Sequence, residues 1–308
     1  MKSYYDINLV TENMAPIERA LLLKGFSSTK TPLKWIKFFR LCVLQKQKEK
    51  KKINNRNLLI IFSLLIVYLP LCYLLYDLMP LPIILGFILA LFTVVYIKYK
   101  KREFRKKFGN GHEFFSDYFS ALFTLIEEEL PELGTIQLTA NMEDSLDHKF
   151  LVERKDAHFK TQGFISGKEE FYEKEITKGT SILKDGSEVQ FSFVEKTRKR
   201  IIRKRGTSGK SKVKYKYKCV FPFIVKIKFP KTTYVLKKNI ASNIQLNEDE
   251  NFYYLKVRRK FDVRKEQPKH YSQNLSGNSI ELFPIEYFTL EVINLFNICF
   301  GQFNLKNN

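Results

Sequence analysis

Two long uncharged stretches, separated by only four residues, constrain this chain more than any other feature. The first, Leu58 to Tyr76, has nineteen residues, and the second, Leu81 to Ile97, has seventeen. As α-helices they would be about 28 and about 26 Å long, close to the thickness of one hydrocarbon core. The four residues 77–80 contain an aspartate and a proline, which end one helix and begin the next. The pattern therefore predicts a transmembrane helical hairpin.

Basic residues flank this hairpin on both sides. Residues 46–56 carry six basic residues and one acid, residues 98–107 carry seven and one, and the connecting turn carries only Asp77. Because segments rich in Lys and Arg stay on the cytoplasmic side of a membrane, both termini are predicted to be cytoplasmic. The alternative, a buried hairpin of a soluble protein, leaves thirteen flanking positive charges unexplained.

Downstream of Gly134 the pattern changes to short runs of alternating apolar and polar residues, which are typical of β-strands. The runs cover residues 135–140, 173–183, 188–195, 212–229, 232–237 and 252–263. Asp185-Gly186 lies between two of them and predicts a tight hairpin turn. The sequence therefore predicts an α+β protein, with a transmembrane helical hairpin followed by a strand-rich, mainly antiparallel cytoplasmic domain that contains a few helices.

Three further segments have the spacing of helices. Residues 32–44 form either an interfacial helix on the membrane or a cytosolic helix packed on the downstream domain. Residues 113–129 carry one apolar face, and residues 284–296 begin with a proline. The predicted organisation is a cytoplasmic N-terminal helical segment (1–57), the transmembrane hairpin (58–97), a basic exit with an amphipathic helix (98–134) and the strand-rich domain (135–308).

All of the net charge of +21 comes from three stretches, since the rest of the chain is slightly acidic, and two of the three flank the hairpin. The third, residues 196–218, carries twelve basic residues and no acid. It belongs to two long predicted strands, Val189–Arg205 and Lys212–Phe229, that would fold back on each other as a basic ribbon (residues 189–229). Its candidate anionic-surface binding residues are Lys196, Arg198, Lys199, Arg200, Arg203, Lys204, Arg205, Lys210, Lys212, Lys214, Lys216 and Lys218.

The basic ribbon can be interpreted in three ways. Lysines alternate with Tyr215 and Tyr217 on the returning strand, which predicts one lysine face and one aromatic face. Anionic lipid headgroups would gain about 1 kcal/mol from each nearby Lys or Arg. Nucleic acid would use the same charges with stacking on the tyrosines. The third interpretation is a solvated hairpin tip without a ligand.

The order of these elements resembles a bacterial family of uncharacterised two-helix membrane proteins, domain of unknown function 3137. The resemblance lies in the hairpin with its basic exit KYKKREFRKKF and in three later segments, residues 163–197, 215–236 and 261–263. It implies a multi-pass protein of the bacterial inner membrane with a hydrophilic domain of strands. It supplies no catalytic residues.

Motifs for catalysis or metal binding are absent from the sequence. The four histidines lack metal-site spacing, and the four cysteines form no C-x-x-C pair. Signatures of nucleotide binding and hydrolysis are also missing. We therefore expect no cofactor and no enzymatic activity, and favour a membrane-anchored scaffold or interaction module that contacts anionic lipid or a protein partner. A membrane-tethered nucleic-acid-binding protein is the alternative, and an enzyme with an unrecognised site is the third possibility.

Overall fold

The structure is a computed structural model that describes residues 16–74, 81–108, 115–237, 244–262 and 285–306. The chain divides into two compact units. The helical unit comprises residues 1–23 and 40–109, and the sheet unit comprises residues 24–39 and 110–308. The sheet unit thus includes a segment from the N-terminal side of the hairpin, which composition and periodicity do not indicate.

Three α-helices belong wholly or mostly to the helical unit: α1 (Pro16–Leu23), α2 (Pro32–Leu74) and α3 (Leu81–Lys107). Pro32 suits the first turn of α2 because proline has the backbone φ of a helix and needs no hydrogen-bond partner there. The helices predicted separately at 32–44 and 58–76 form one continuous helix of 43 residues, which passes through Pro70. The predicted turn at 77–80 lies outside the described residues.

The apolar stretches of α2 and α3 are exposed. Both helices are long and apolar enough to cross a bilayer, and the buried share of their most apolar 18-residue windows is 6% and 0%. A core helix of a soluble protein would bury such a surface. Gly86 on α3 lies against the Tyr68 ring of α2, where a Cβ atom would collide with the phenol. A small residue at this position lets the two helices approach closely.

The sheet unit is built on an antiparallel sheet of eight strands. Their spatial order is β1-β2-β4-β5-β6-β9-β8, and β3 pairs with β4. A second sheet of two strands pairs β7 with β10. In chain order the strands are β1 (Gly25–Lys30), β2 (Ile136–Asn141), β3 (Leu151–Asp156), β4 (Phe164–Ile182), β5 (Glu188–Arg205), β6 (Ser211–Pro230), β7 (Tyr234–Leu236), β8 (Ile244–Glu248), β9 (Phe252–Asp262) and β10 (Phe303–Leu305).

Both predicted hairpin turns are present. Between β4 and β5, Gly186 has a φ of +81°, and the Ser187 backbone N–H donates to the Asp185 carboxylate at 2.8 Å. Between β5 and β6, Gly209 has a φ of +73°, a left-handed conformation that favours glycine. The pairing of β5 with β6 runs from Glu188 opposite Lys228 to Arg205 opposite Ser211. The structure therefore contains the predicted basic ribbon.

Some strands differ from the sequence pattern. The run predicted at 232–237 is a strand of only three residues, β7. Strands β1, β3, β8 and β10 were not indicated by the pattern. On β3 five of the six side chains are exposed, so the strand lacks the alternation between apolar and polar residues that would reveal it.

Aromatic side chains cover one face of the large sheet. The helix α5 (Ile285–Phe300) packs there through Phe288, whose fully buried ring lies 5.5 Å from the rings of both Phe193 and Phe261. A π-helical segment, Phe115–Phe119, leads into α4 (Ser120–Glu129) and contributes further rings to the same core. The predicted helices at 113–129 and 284–296 are thus present over their described residues.

The first turns of α2 also pack on the sheet unit. Trp35, the only tryptophan in the chain, is fully buried, and its indole N–H donates to the Ile136 carbonyl oxygen at 2.8 Å. Its ring stacks on Phe39 with 5.6 Å between the centroids, and Phe26 on β1 lies 5.3 Å away. Of the two interpretations of residues 32–44, packing on the strand-rich unit therefore holds for residues 32–39.

Candidate anion-binding surface

Acidic residues on β4 neutralise the inner part of the basic ribbon. Lys196 lies 2.6 Å from Glu173, and Arg200 lies 2.6 Å from Glu169. These glutamates belong to a neighbouring strand and therefore do not enter a charge count of the ribbon alone. Four of the twelve predicted binding residues form such ion pairs: Lys196, Arg198, Lys199 and Arg200.

Glu170 forms the most buried of these ion pairs. Its side chain is only 5% exposed and accepts hydrogen bonds from Lys199 at 2.9 Å and from the Tyr172 hydroxyl at 2.8 Å. Arg154 on β3 lies 2.8 Å from the same carboxylate. Burial alone would raise the pKa of Glu170, but these hydrogen bonds outweigh it and the pKa is lowered. Lys199 is consequently held inside the sheet by a charged carboxylate.

Seven of the predicted residues have no ion pair with any residue that the structure describes. They surround the turn of the ribbon, and we call residues 203–216 the ribbon tip. The twelfth residue, Lys218 on β6, lies opposite Arg198 on β5. The seven residues are Arg203, Lys204, Arg205, Lys210, Lys212, Lys214 and Lys216.

The ribbon tip extends past the rest of the described sheet on one side. Pairing of β9 with β6 ends where Val220 lies opposite Asp262, and within the described part of the chain no other strand covers β6 beyond that point. Lys204 lies opposite Lys212, which places these lysines on one face. Val213 and Tyr215 lie on the other face and are 51% and 53% exposed. The predicted alternation is confirmed, but the buried core stops at Cys219.

The lysine face continues along the sheet as an open polar face. Opposite residues on adjacent strands point to the same side of a sheet. The register therefore aligns one row of side chains across seven strands: Thr29, Gln137, Thr180, Gln190, Lys226, Lys256 and Gln245. A groove of about 1150 Å³ follows this row.

Strand β9 adds cations that the sequence analysis did not include. Lys256, Arg258 and Lys260 lie opposite Lys226, Ile224 and Pro222, and all three are exposed. Because the even-numbered residues of β6 share one face, these cations lie on the same face as Lys214 and Lys216. The sequence did contain a signal for these cations, because basic residues alternate along the predicted strand at 252–263. Only the strand register shows that they share a face with the ribbon lysines.

Residues that could have indicated catalysis are dispersed. His148 lies in a short 3-10 helix and His158 packs on Phe164, while the other two histidines lie outside the described residues. Cys42, Cys219 and Cys299 are buried at separate places in the chain, and Cys72 is half-buried on α2. Among the described residues there is no group of three or more His, Cys, Asp or Glu side chains that could hold a metal ion.

The fold and surface define an α+β protein with two long, exposed apolar helices and a mainly antiparallel sheet that carries a basic open face and a basic tip. No family model matches the chain, and comparisons with curated proteins and with solved structures find no significant similarity.

Proposed function

We propose that this chain is an integral membrane protein whose sheet unit docks on anionic lipid through the ribbon tip. It would act as a non-enzymatic, membrane-anchored interaction module of the kind expected for the bacterial two-helix family that the sequence resembles. The observation that carries this proposal is a group of seven cations around the exposed Val213 and Tyr215 that have no ion pair with a described residue.

The two exposed apolar helices support membrane insertion, because both of their most apolar windows lack the cover of a protein core. Basic residues at the ends of the uncharged stretches support an orientation with both termini in the cytoplasm, and the resemblance is the ground for proposing the bacterial inner membrane. Arg56 on α2 lies near enough to Lys100 on α3 to repel it, so positive charge gathers at one end of the hairpin.

Reporter fusions test this topology. Fusions after residue 45, within residues 77–80 and after residue 308 should report inside, outside and inside, because the positive flanks resist translocation. A fusion after residue 134 should agree with the one after residue 308, since no long uncharged run separates the two positions. A reporter that is active outside the cell when fused at residue 308 would overturn the orientation.

Lipid suits the ribbon tip better than nucleic acid does. Tyrosine beside cations and apolar side chains is typical of the membrane–water interface. Binding of a single strand uses several accessible rings in succession, whereas Tyr217 is half-buried and Lys199 lies 5.8 Å from the ring of Tyr215. Each cation near an anionic leaflet adds about 1 kcal/mol, and a membrane-anchored unit remains close to that leaflet.

A fluorescent probe at the tip measures docking in the full-length protein. Ser208 is exposed in the turn, so Ser208→Cys in phospholipid nanodiscs can carry an environment-sensitive dye. Labelling should be selective in a Cys72→Ser background, because the other three native cysteines are buried and burial raises the pKa of the Cys299 thiol to about 12. Phosphatidylglycerol in a phosphatidylcholine disc should blue-shift the emission, and high salt should reverse the shift.

Two variants with equal loss of charge locate the docking surface. Replacing Arg203, Arg205, Lys210 and Lys212 by Gln should remove most of the response to phosphatidylglycerol. Replacing the exposed Lys149, Lys184, Lys237 and Lys306 by Gln should leave it unchanged. An unchanged response in the first variant would refute lipid docking. A response to a single-stranded oligonucleotide that exceeds the response to phosphatidylglycerol at equal salt would assign the tip to nucleic acid instead.

A further inference from the structure

The loop between β3 and β4 folds back over the lysine face of the ribbon. Its first residue, Ala157, donates its backbone N–H to the Gly167 carbonyl oxygen at 3.0 Å. Phe159 lies against Gly167, where a Cβ atom would collide with its ring. The same ring lies 5.2 Å from the guanidinium of Arg200. The loop is therefore seated on the sheet by close contacts.

This loop closes a pocket of about 270 Å³ at the base of the ribbon tip. Five of its lining residues are cations, contributed by the loop and by two strands, and none is an acid. The lining residues are Phe159, Lys160, Thr161, Arg200, Ile202, Lys204, Lys214 and Lys216.

The cations of the pocket repel one another, and the pocket lining contains no acidic side chain that would offset this repulsion. Arg200 lies opposite Lys216 across the ribbon, and like charges in opposite positions of a sheet are destabilising. Arg200 is balanced by Glu169 at 2.6 Å. Lys160, Lys204 and Lys214, in contrast, have no ion pair with any described residue, and neither does Lys216. An anion in the pocket would relieve this repulsion.

We propose that this pocket binds a phosphomonoester group, carried either by a lipid headgroup or by a soluble compound. The lysine ammonium groups supply charge and mobile donors for a dianion, and the Thr161 hydroxyl can donate or accept a hydrogen bond. Arg200, held between Glu169 and Phe159, provides a fixed wall. Only the lipid source rests on the proposed docking function, because the pocket itself is complete within the sheet unit.

Calorimetric titration of the full-length protein in phosphatidylcholine nanodiscs tests the pocket with two soluble probes, inorganic phosphate and glycerol 3-phosphate. Discs containing phosphatidic acid, a lipid phosphomonoester, provide the other source and are compared with discs containing phosphatidylglycerol, a diester. We expect saturable binding of a soluble probe, or a stronger dye response at Ser208→Cys with phosphatidic acid than with phosphatidylglycerol. Which response is observed identifies the source.

Paired variants separate the pocket from the tip. Lys204→Gln with Lys214→Gln should weaken phosphate binding at least about tenfold, since each substitution removes a charge-assisted donor. Arg205→Gln with Lys212→Gln removes the same charge outside the pocket and should change binding less than about threefold. Unchanged fluorescence of Trp35 confirms that the variants are folded.

The failure of this proposal differs from the failure of lipid docking. If both variants weaken phosphate binding equally, or if no phosphomonoester binds while the tip still responds to phosphatidylglycerol, the pocket proposal is wrong and docking stands. If phosphate binds in the pocket while the tip ignores every anionic lipid, docking is wrong and the pocket stands.

Discussion

Replacing Phe288 by alanine should lower the free energy of unfolding of the sheet unit by about 3–5 kcal/mol. The ring of Phe288 lies 5.5 Å from Phe193 and Phe261 and 5.9 Å from Phe223, so it connects α5 to three strands. Tyr118 of the π-helical segment packs on it from another side at 5.2 Å. Truncation would remove a fully buried ring and leave a cavity that rigid aromatic neighbours cannot close.

Fluorescence of Trp35 provides the measurement, because the only tryptophan of the chain is buried in the sheet unit. Urea unfolding of the detergent-solubilised full-length protein should show a lower midpoint for Phe288→Ala. Leu290→Ala on the same helix is the matched control, since Leu290 is 60% exposed and its loss should change stability by less than about 0.5 kcal/mol. Equal midpoints for the two variants would show that Phe288 does not anchor α5.

Replacing Lys174 by methionine should destabilise the sheet unit by about 3–5 kcal/mol, because it removes a buried counter-ion of the Glu195 carboxylate. The two side chains are only 4% and 2% exposed, and their charged atoms are 3.7 Å apart. Lys174 also donates to the Glu143 carbonyl oxygen at 2.8 Å. Burial lowers the pKa of Lys174, and attraction to Glu195 only partly opposes this shift.

The double substitution Lys174→Met with Glu195→Gln should recover much of the lost stability. It removes both charges of the pair, and glutamine can still accept the hydrogen bond that Thr197 donates to Glu195. We expect a coupling energy of about 2 kcal/mol between the two sites, measured by urea unfolding with Trp35 fluorescence. If the single and double variants lose the same stability, the two charges are not coupled.

Much of the fold follows from local patterns. The basic ribbon was predictable because Val189 to Arg205 and Lys212 to Phe229 alternate with period two around a glycine-containing turn. Strand β4 begins at Phe164, but the predicted run began only at Glu173. The first half of the strand was missed because it carries adjacent charged residues that hide the alternation of apolar and polar side chains. Strand β1 was not predictable, since it lies on the N-terminal side of the hairpin and pairs with β2 more than a hundred residues away.

The binding surface was predictable only in part. The ribbon's cations are a local property of the sequence. Their neutralisation by ion pairs, however, depends on Glu169 and Glu170, which lie about thirty residues earlier in the chain. Strand pairing brings these charges within 3 Å of Arg200 and Lys199, a distance at which electrostatic attraction is strong. The pocket likewise depends on how a loop folds over the strands.

The sequence by itself determined the two apolar helices and the place of the third basic stretch, because hydropathy and charge are properties of consecutive residues. Only the tertiary structure decided which cations of the ribbon form ion pairs, that β9 extends the basic face, and that Lys160 joins the ribbon lysines around one pocket. These outcomes depend on strand register and loop conformation, which bring together residues far apart in the chain.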